Sequence, residues 1–379
     1  MHVAREPEDA RPTVPGFSYV PALDGLRGVA IGLVVFRHLE TVEAGDVLLQ
    51  EGYLPGGFLG VDLFFVLSGF LITTLLLREV SDGGTVHLGA FYARRALRLL
   101  PALYLFLAAH LLYAVLADLS LAHELRSLAS ATLYVSNWQT VHNLFTVNEG
   151  LGHLWSLAVE EQFYVLWPLA LLGLLRLDRS GRLLRGVLVA AIVAICLHRA
   201  ILWEGGGDWL FLYIRTDTRL DTLLVGALLA VAWAPTARLP ARLAVPLGWL
   251  GAGVLAVIVL VGRPREGFVY LVGFPLFALA SAAVVLAIVD TDRGVARLLA
   301  AAPLRAVGRV SYGLYLWHPL AFLIIHRWAP DGTPVPVRVA VGLALAAATT
   351  ALSYRLVERP ALELKARIRP GRRRRAAVG

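Results

Sequence analysis

GFLGVDLFFVLSGFLITTLLL, residues 57 to 77, is a run of 21 residues with one carboxylate and no basic side chain. As an α-helix rising 1.5 Å per residue it is about 31 Å long, matching a bilayer hydrocarbon core of about 30 Å. Working outward from it, comparable windows lie at 20 to 39, 97 to 117, 154 to 175, 185 to 203, 219 to 235, 243 to 262, 269 to 290, 310 to 328 and 338 to 356. The pattern predicts an all-α, polytopic integral membrane protein of about ten transmembrane helices. Composition agrees, since 58% of the 379 residues are hydrophobic and 16% charged, too apolar a balance for a water-soluble domain. The segment from Leu125 to Trp138 carries Ser127, Ser130, Thr132, Ser136 and Asn137 and is too polar to span. It is expected to be interfacial or re-entrant.

Charge fixes the expected orientation. With ten spans and the N-terminus inside, inner segments hold 24 Arg and Lys and outer loops seven, namely Arg126, Arg215, Arg219, Arg263, Arg265, Arg327 and Arg338. An inside excess of this size places both termini in the cytosol. Residues 1 to 19 are charged and proline-containing, so they read as a cytosolic lead-in rather than a cleavable signal. Residues 20 to 358 form the membrane domain and 359 to 379 a basic cytosolic tail, with eight of the 35 basic residues between Arg359 and Arg375. Such a tail is a topology signal that also touches anionic lipid headgroups; no nucleic-acid partner is expected. Cys196 is the single cysteine, so intrachain disulfides are excluded. No metal site and no bound cofactor are expected.

The ionisable groups inside the spans carry the functional reading, because each costs about 2.5 to 3.5 kcal/mol to insert. Arg27 and His38 are eleven residues apart, three turns plus about 20°, so they share one face about 16 Å apart along the axis. The decisive stretch adds Asp62 near its outer end and Ser68 with Gly69 near its middle. Gly57, Gly60 and Gly69 suit close helix packing, and Asp62 is either a water-facing terminal charge or a buried partner. The string His153-Leu-Trp155-Ser156-Leu-Ala-Val-Glu160-Glu161 brings two carboxylates into the membrane, where they need a cation or a proton. At the inner end of the third span, Arg94 and Arg98 share a face with Arg95 beside them. Arginine forks suit phosphate oxygens, and positive-inside anchoring is the plainer explanation. In the ninth span His318 precedes Pro319, whose kink suits a cavity lining. Asp62, Ser68, Trp155, Glu161, Tyr315 and His318 are candidate substrate contacts.

These pieces resemble the bacterial acyltransferase 3 family of membrane O-acyltransferases. The resemblance rests on LDGLRGVAIGLVVFRH (23 to 38), GGFLGVDLFFVLSGFLIT (56 to 73), FYARRALRLLPAL (91 to 103), HLWSLAVEEQFYVLWP (153 to 168), SYGLYLWHP (311 to 319) and SYRLVERP (353 to 360), which occur in the family's order. It implies ten helices, an acyl-CoA donor from the cytosol, acyl transfer to sugars or small-molecule alcohols, and essential roles for Arg27 and His38. Two departures are visible: Arg37 directly precedes His38, and no hydrolase-like domain follows the helices within these residues. A second transfer step, if there is one, is therefore expected of another protein.

The residues then divide by role. His38 is the expected general base on the acceptor hydroxyl, with Glu160 or Glu161 holding its tautomer and Asp62 as a substitute partner; Arg27 completes the catalytic set. Arg94, Arg95 and Arg98 are expected to bind the donor, which threads between helices to meet an acceptor from the other side. An acyl-histidine intermediate is compatible with the same residues. The acceptor is a surface polysaccharide, a lipid-linked sugar or a macrolide-type sugar at the cell membrane. The rival from another class is a transporter or flippase with the intramembrane Arg, His and Glu as a proton relay; it predicts inverted repeats, and none is visible.

Overall fold

The computed structural model describes residues 19–45, 53–142, 150–233 and 238–368. Most of the lead-in, and Arg372 to Arg375 of the tail, lie outside the described residues. Among the described residues there is no strand, and ten helices reach 17 residues or more. They are α1 (Pro21–Arg37), α2 (Gly60–Gly83), α3 (Leu88–Leu116), α4 (Leu154–Leu177), α5 (Arg182–Glu204), α6 (Thr216–Ala232), α7 (Ala241–Val261), α8 (Phe274–Asp290, entered by a π-turn at Val269–Gly273), α9 (Ser311–Trp328) and α10 (Val335–Ser353). A π-turn at Tyr354–Glu358 leads from α10 into an amphipathic helix, α11 (Arg359–Arg367). Each long helix overlaps a predicted window, although α3 and α6 begin before theirs.

Seven of these helices are long and apolar enough to cross a membrane by themselves. The other three, α1, α6 and α9, have 17, 17 and 18 residues, and more than half of each is buried among neighbouring helices. The central position of α2 shows in its apolar window, 83% buried, against 11% for α5 and 17% for α10. Helices α2 and α6 approach so closely that a Cβ on Gly69 would sit 1.9 Å from the Leu223 carbonyl oxygen, and one on Gly226 2.1 Å from that of Val66. Only glycine permits that contact. Gly28 of α1 and Gly308 of the short helix Ala302–Arg309 meet in the same manner. Proline at the first turn starts α1, and Gly84 at φ +74° ends α2.

The segment expected to be interfacial forms two short helices, Leu121–Thr132 and Ser136–His142. Asn137 of the second receives a hydrogen bond from Gln162 of α4 and donates to Thr216 of α6, tying the piece to the bundle. Arg219, assigned above to an outer loop, is instead fully buried in α6 and paired with Asp62 of α2. The window there began too late, because two acids and an arginine in the first turns of α6 depress its hydropathy although each ion is matched across a helix contact.

Candidate active site

Two polar levels lie along the bundle, a histidine end and an arginine end. At the histidine end, His38 follows directly on α1 and its Nδ1 lies 2.9 Å from Nε2 of His318 on α9. The other nitrogen of His318, Nδ1, lies 2.8 Å from the Leu314 carbonyl oxygen. A carbonyl only accepts, so His318 Nδ1 carries a proton and Nε2 of the neutral ring is an acceptor. His38 Nδ1–H then donates to it, which puts the lone pair of His38 on Nε2. His318 is wholly buried, and Pro319 behind it interrupts the helical bonding of α9.

His38, Arg37, His153, Trp155, Tyr213 and Tyr315 line a cavity of about 30 Å³ beside this pair. Tyr315 donates to the His153 carbonyl oxygen and its hydroxyl meets Ser156 Oγ at 2.6 Å, which fixes the phenol against the pocket. The rings of Trp155 and Tyr213 meet with centroids 4.6 Å apart and planes inclined by 57°. Expected site residues Trp155, Tyr315, His318 and His38 are thus brought together. His153, Tyr213 and Arg37 were missed as lining. His153 opens the quoted string of α4, so a signal existed; Tyr213 lies in a short helix between spans with no pattern to single it out.

The carboxylates fall elsewhere. Glu160 is seven residues beyond His153 on α4, roughly 10 Å further along the bundle. It accepts from Ser68 and Tyr164, with Arg95 3.7 Å away. Arg95 bonds Glu161 through Nε and a terminal nitrogen at 3.1 and 2.7 Å, and its guanidinium lies 3.2 Å over the Tyr164 ring. The expectation that Glu160 or Glu161 holds the tautomer of His38 is therefore corrected: His318 takes Nδ1, and both carboxylates answer Arg95. Ser68, placed among substrate contacts, is a donor to Glu160. Asp62 is likewise not beside His38 but in the buried pair with Arg219, whose guanidinium lies 3.5 Å over Phe274. Arg199 and Asp221 form a second buried pair at 2.9 Å.

At the arginine end, the grouping of Arg94, Arg95 and Arg98 also divides. Arg94 pairs with Glu79 at 3.4 Å and Arg95 with Glu161, while Arg98 feels the charge of Arg27 and has no hydrogen bond or ion pair among the described residues. Arg27 and His38 thus belong to different levels of one helix, as their spacing requires.

A family model described as "Acyltransferase domain" matches residues 20–356. The chain is 33% identical over 356 residues to the putative peptidoglycan O-acetyltransferase YrhL of Bacillus subtilis, covering 90% of this chain and 55% of that protein. It is 34% identical over 357 residues to the O-acetyltransferase OatA of Staphylococcus aureus, covering 90% and 57%. The chain therefore spans a little over half the length of the curated relatives it matches. No solved structure matches.

Proposed function

The chain belongs to this acyltransferase family, and on that premise we propose that it moves an acetyl group from acyl-CoA to a hydroxyl of a carbohydrate acceptor, with His38 as general base. The observation that carries the reading is the Leu314–His318–His38 chain, which leaves the basic nitrogen of His38 on the ring edge away from His318. A base so held takes the proton of the acceptor hydroxyl as its oxygen attacks the thioester carbonyl. The C–S bond breaks, and the proton passes to the leaving CoA thiolate. Acetyl rather than a longer chain suits a cavity of about 30 Å³, room for about two waters, walled by aromatic rings.

The arginine end supports entry of the nucleotide part of the donor from the cytosol, which puts the histidine end toward the outside of the cell membrane and both termini inside. The pantetheine arm then runs between helices past Glu160 and Arg95. The name of one relative, a putative peptidoglycan O-acetyltransferase, gives peptidoglycan as its acceptor; a cell-wall glycan is accordingly the first acceptor to offer this chain, ahead of lipid-linked or macrolide-type sugars. Acyl-CoA is a co-substrate in this scheme, not a resident cofactor.

Purified full chain incubated with radiolabelled acetyl-CoA and muropeptide should yield labelled ester and free CoA. A transporter would leave the thioester intact, so no release of CoA with any hydroxyl acceptor overturns the enzymatic reading.

A further inference from the structure

Arg27 of α1, Arg98 of α3 and Lys365 of α11 are each half-buried, and among the described residues none has a hydrogen bond or an ion pair. They come from the two ends and an early part of the chain, yet the packing of α11 along α3 brings their charges within range of one another. Of the charges acting on Arg98 that of Arg27 is the strongest, and of those acting on Lys365 that of Arg98 is. The neighbours differ, because Arg94 and Arg95 are held by Glu79 and Glu161. Three carboxylates face Arg98 and each is engaged elsewhere: Glu160 by Ser68 and Tyr164, Glu161 by Arg95, and Glu358 by Ser353. None of the nitrogens of the three cations is sealed from solvent.

Lys365 arrives there by construction. The π-turn at Tyr354–Glu358 inserts an extra residue into the turn at the end of α10, and α11 then packs along α3 instead of leaving the bundle. Three like charges in a partly desolvated space repel one another, and a dianion among them removes that cost. Two guanidinium forks and one ammonium match a phosphate better than a carboxylate, which offers fewer oxygens and half the charge.

We propose that Arg27, Arg98 and Lys365 form a phosphate-binding site for the nucleotide of the donor, with α11 as one wall. The inference rests on the acyl-CoA reading above and adds the tail helix to it. Lys365 lies beyond the span, and burial together with the nearby arginines lowers its ammonium to about 7. A bound phosphate raises it again, so binding takes up a proton and weakens as pH rises above 7. The groups facing Lys365 are Arg27 on α1, Arg94, Arg95 and Arg98 on α3, and Glu358 near Arg98.

The test is calorimetric binding of CoA, and of pantetheine, which lacks the nucleotide, to the full chain in neutral detergent. K365Q should weaken CoA about tenfold, the scale of one charge-assisted contact, and leave pantetheine unchanged. K365R should restore the affinity but not its fall between pH 7 and 9. Unaltered CoA binding in both K365Q and R98Q overturns the site. If the unsubstituted chain binds no CoA, the donor reading fails instead, and pyrophosphate and phosphatidylglycerol vesicles replace the probe. Binding of either that is lost in K365Q keeps the phosphate site and gives it to free phosphate or a lipid headgroup; binding of neither ends it.

Discussion

An imidazole serves as a base only when its proton sits on the right nitrogen, and in the proposed mechanism His318 sets that for His38 through one hydrogen bond. H38A should cut turnover by about 10² to 10⁴ with the detergent melting temperature unchanged, the range for loss of a general base. H318A should cost less and act on kcat alone, with the KM for acetyl-CoA unmoved. H318Q should recover much of it, since the glutamine carbonyl oxygen can accept from Nδ1–H. A raised donor KM in H318A, with kcat intact, sinks the positioning role. His38 and Arg27 were legible in the sequence because an intramembrane charge is costly and eleven residues bring two of them to one face. The partnership of His38 with His318, 280 residues away, was not legible. Angle and rise along a helix give the face and depth of a side chain, never which helix stands opposite. The same blindness sent Glu160 to His38 instead of Arg95.

Between elements, matched charges and matched glycines decide how the helices seat. Arg95 and Glu161 tie α3 to α4 with exposures of 16% and 9%, so R95Q leaves a nearly buried carboxylate alone and should destabilise the protein by about 3 to 5 kcal/mol. R98Q breaks no pair and should leave the melting temperature alone while raising the donor KM. The two substitutions differ by three positions in sequence and are predicted to fail in opposite assays; a normal melt for R95Q would show that Glu161 finds another partner. The α2–α6 seam makes the companion case. G226A places a methyl group 2.1 Å from the Val66 carbonyl oxygen, backbone that cannot swing aside, and should lower stability by at least about 1 to 3 kcal/mol, measured by thermal melting. Hydropathy found the ten long helices among the described residues because burial in lipid or in protein demands the same apolar run. It misplaced the start of α6 because Arg219 and Asp221 are answered by Asp62 and Arg199, and a window sees only its own residues.

For the whole molecule, the proposed reading of the two polar levels has donor and acceptor enter from opposite faces. Arg27 and His38 sit about 16 Å apart on one helix, too far for one small substrate to touch both, and CoA is long enough to have its phosphates at one level and its thioester at the other. In sealed inside-out vesicles, acetyl-CoA in the bath should therefore react with acceptor trapped in the lumen. Right-side-out vesicles should react only when the donor is loaded inside. E160Q provides the internal control: the carboxylate lies between the levels, so its loss should slow turnover in the competent orientation with little change in donor affinity. The design separates three arrangements. Reaction in one orientation only, reversed by swapping the compartments of donor and acceptor, fits a site reached from both sides. Equal rates in both orientations mean that donor and acceptor share one entrance, in which case the arginine end serves orientation alone. Reaction only when both substrates are placed on the arginine side would move the chemistry away from His38, and then H38A should retain its activity in the same vesicles.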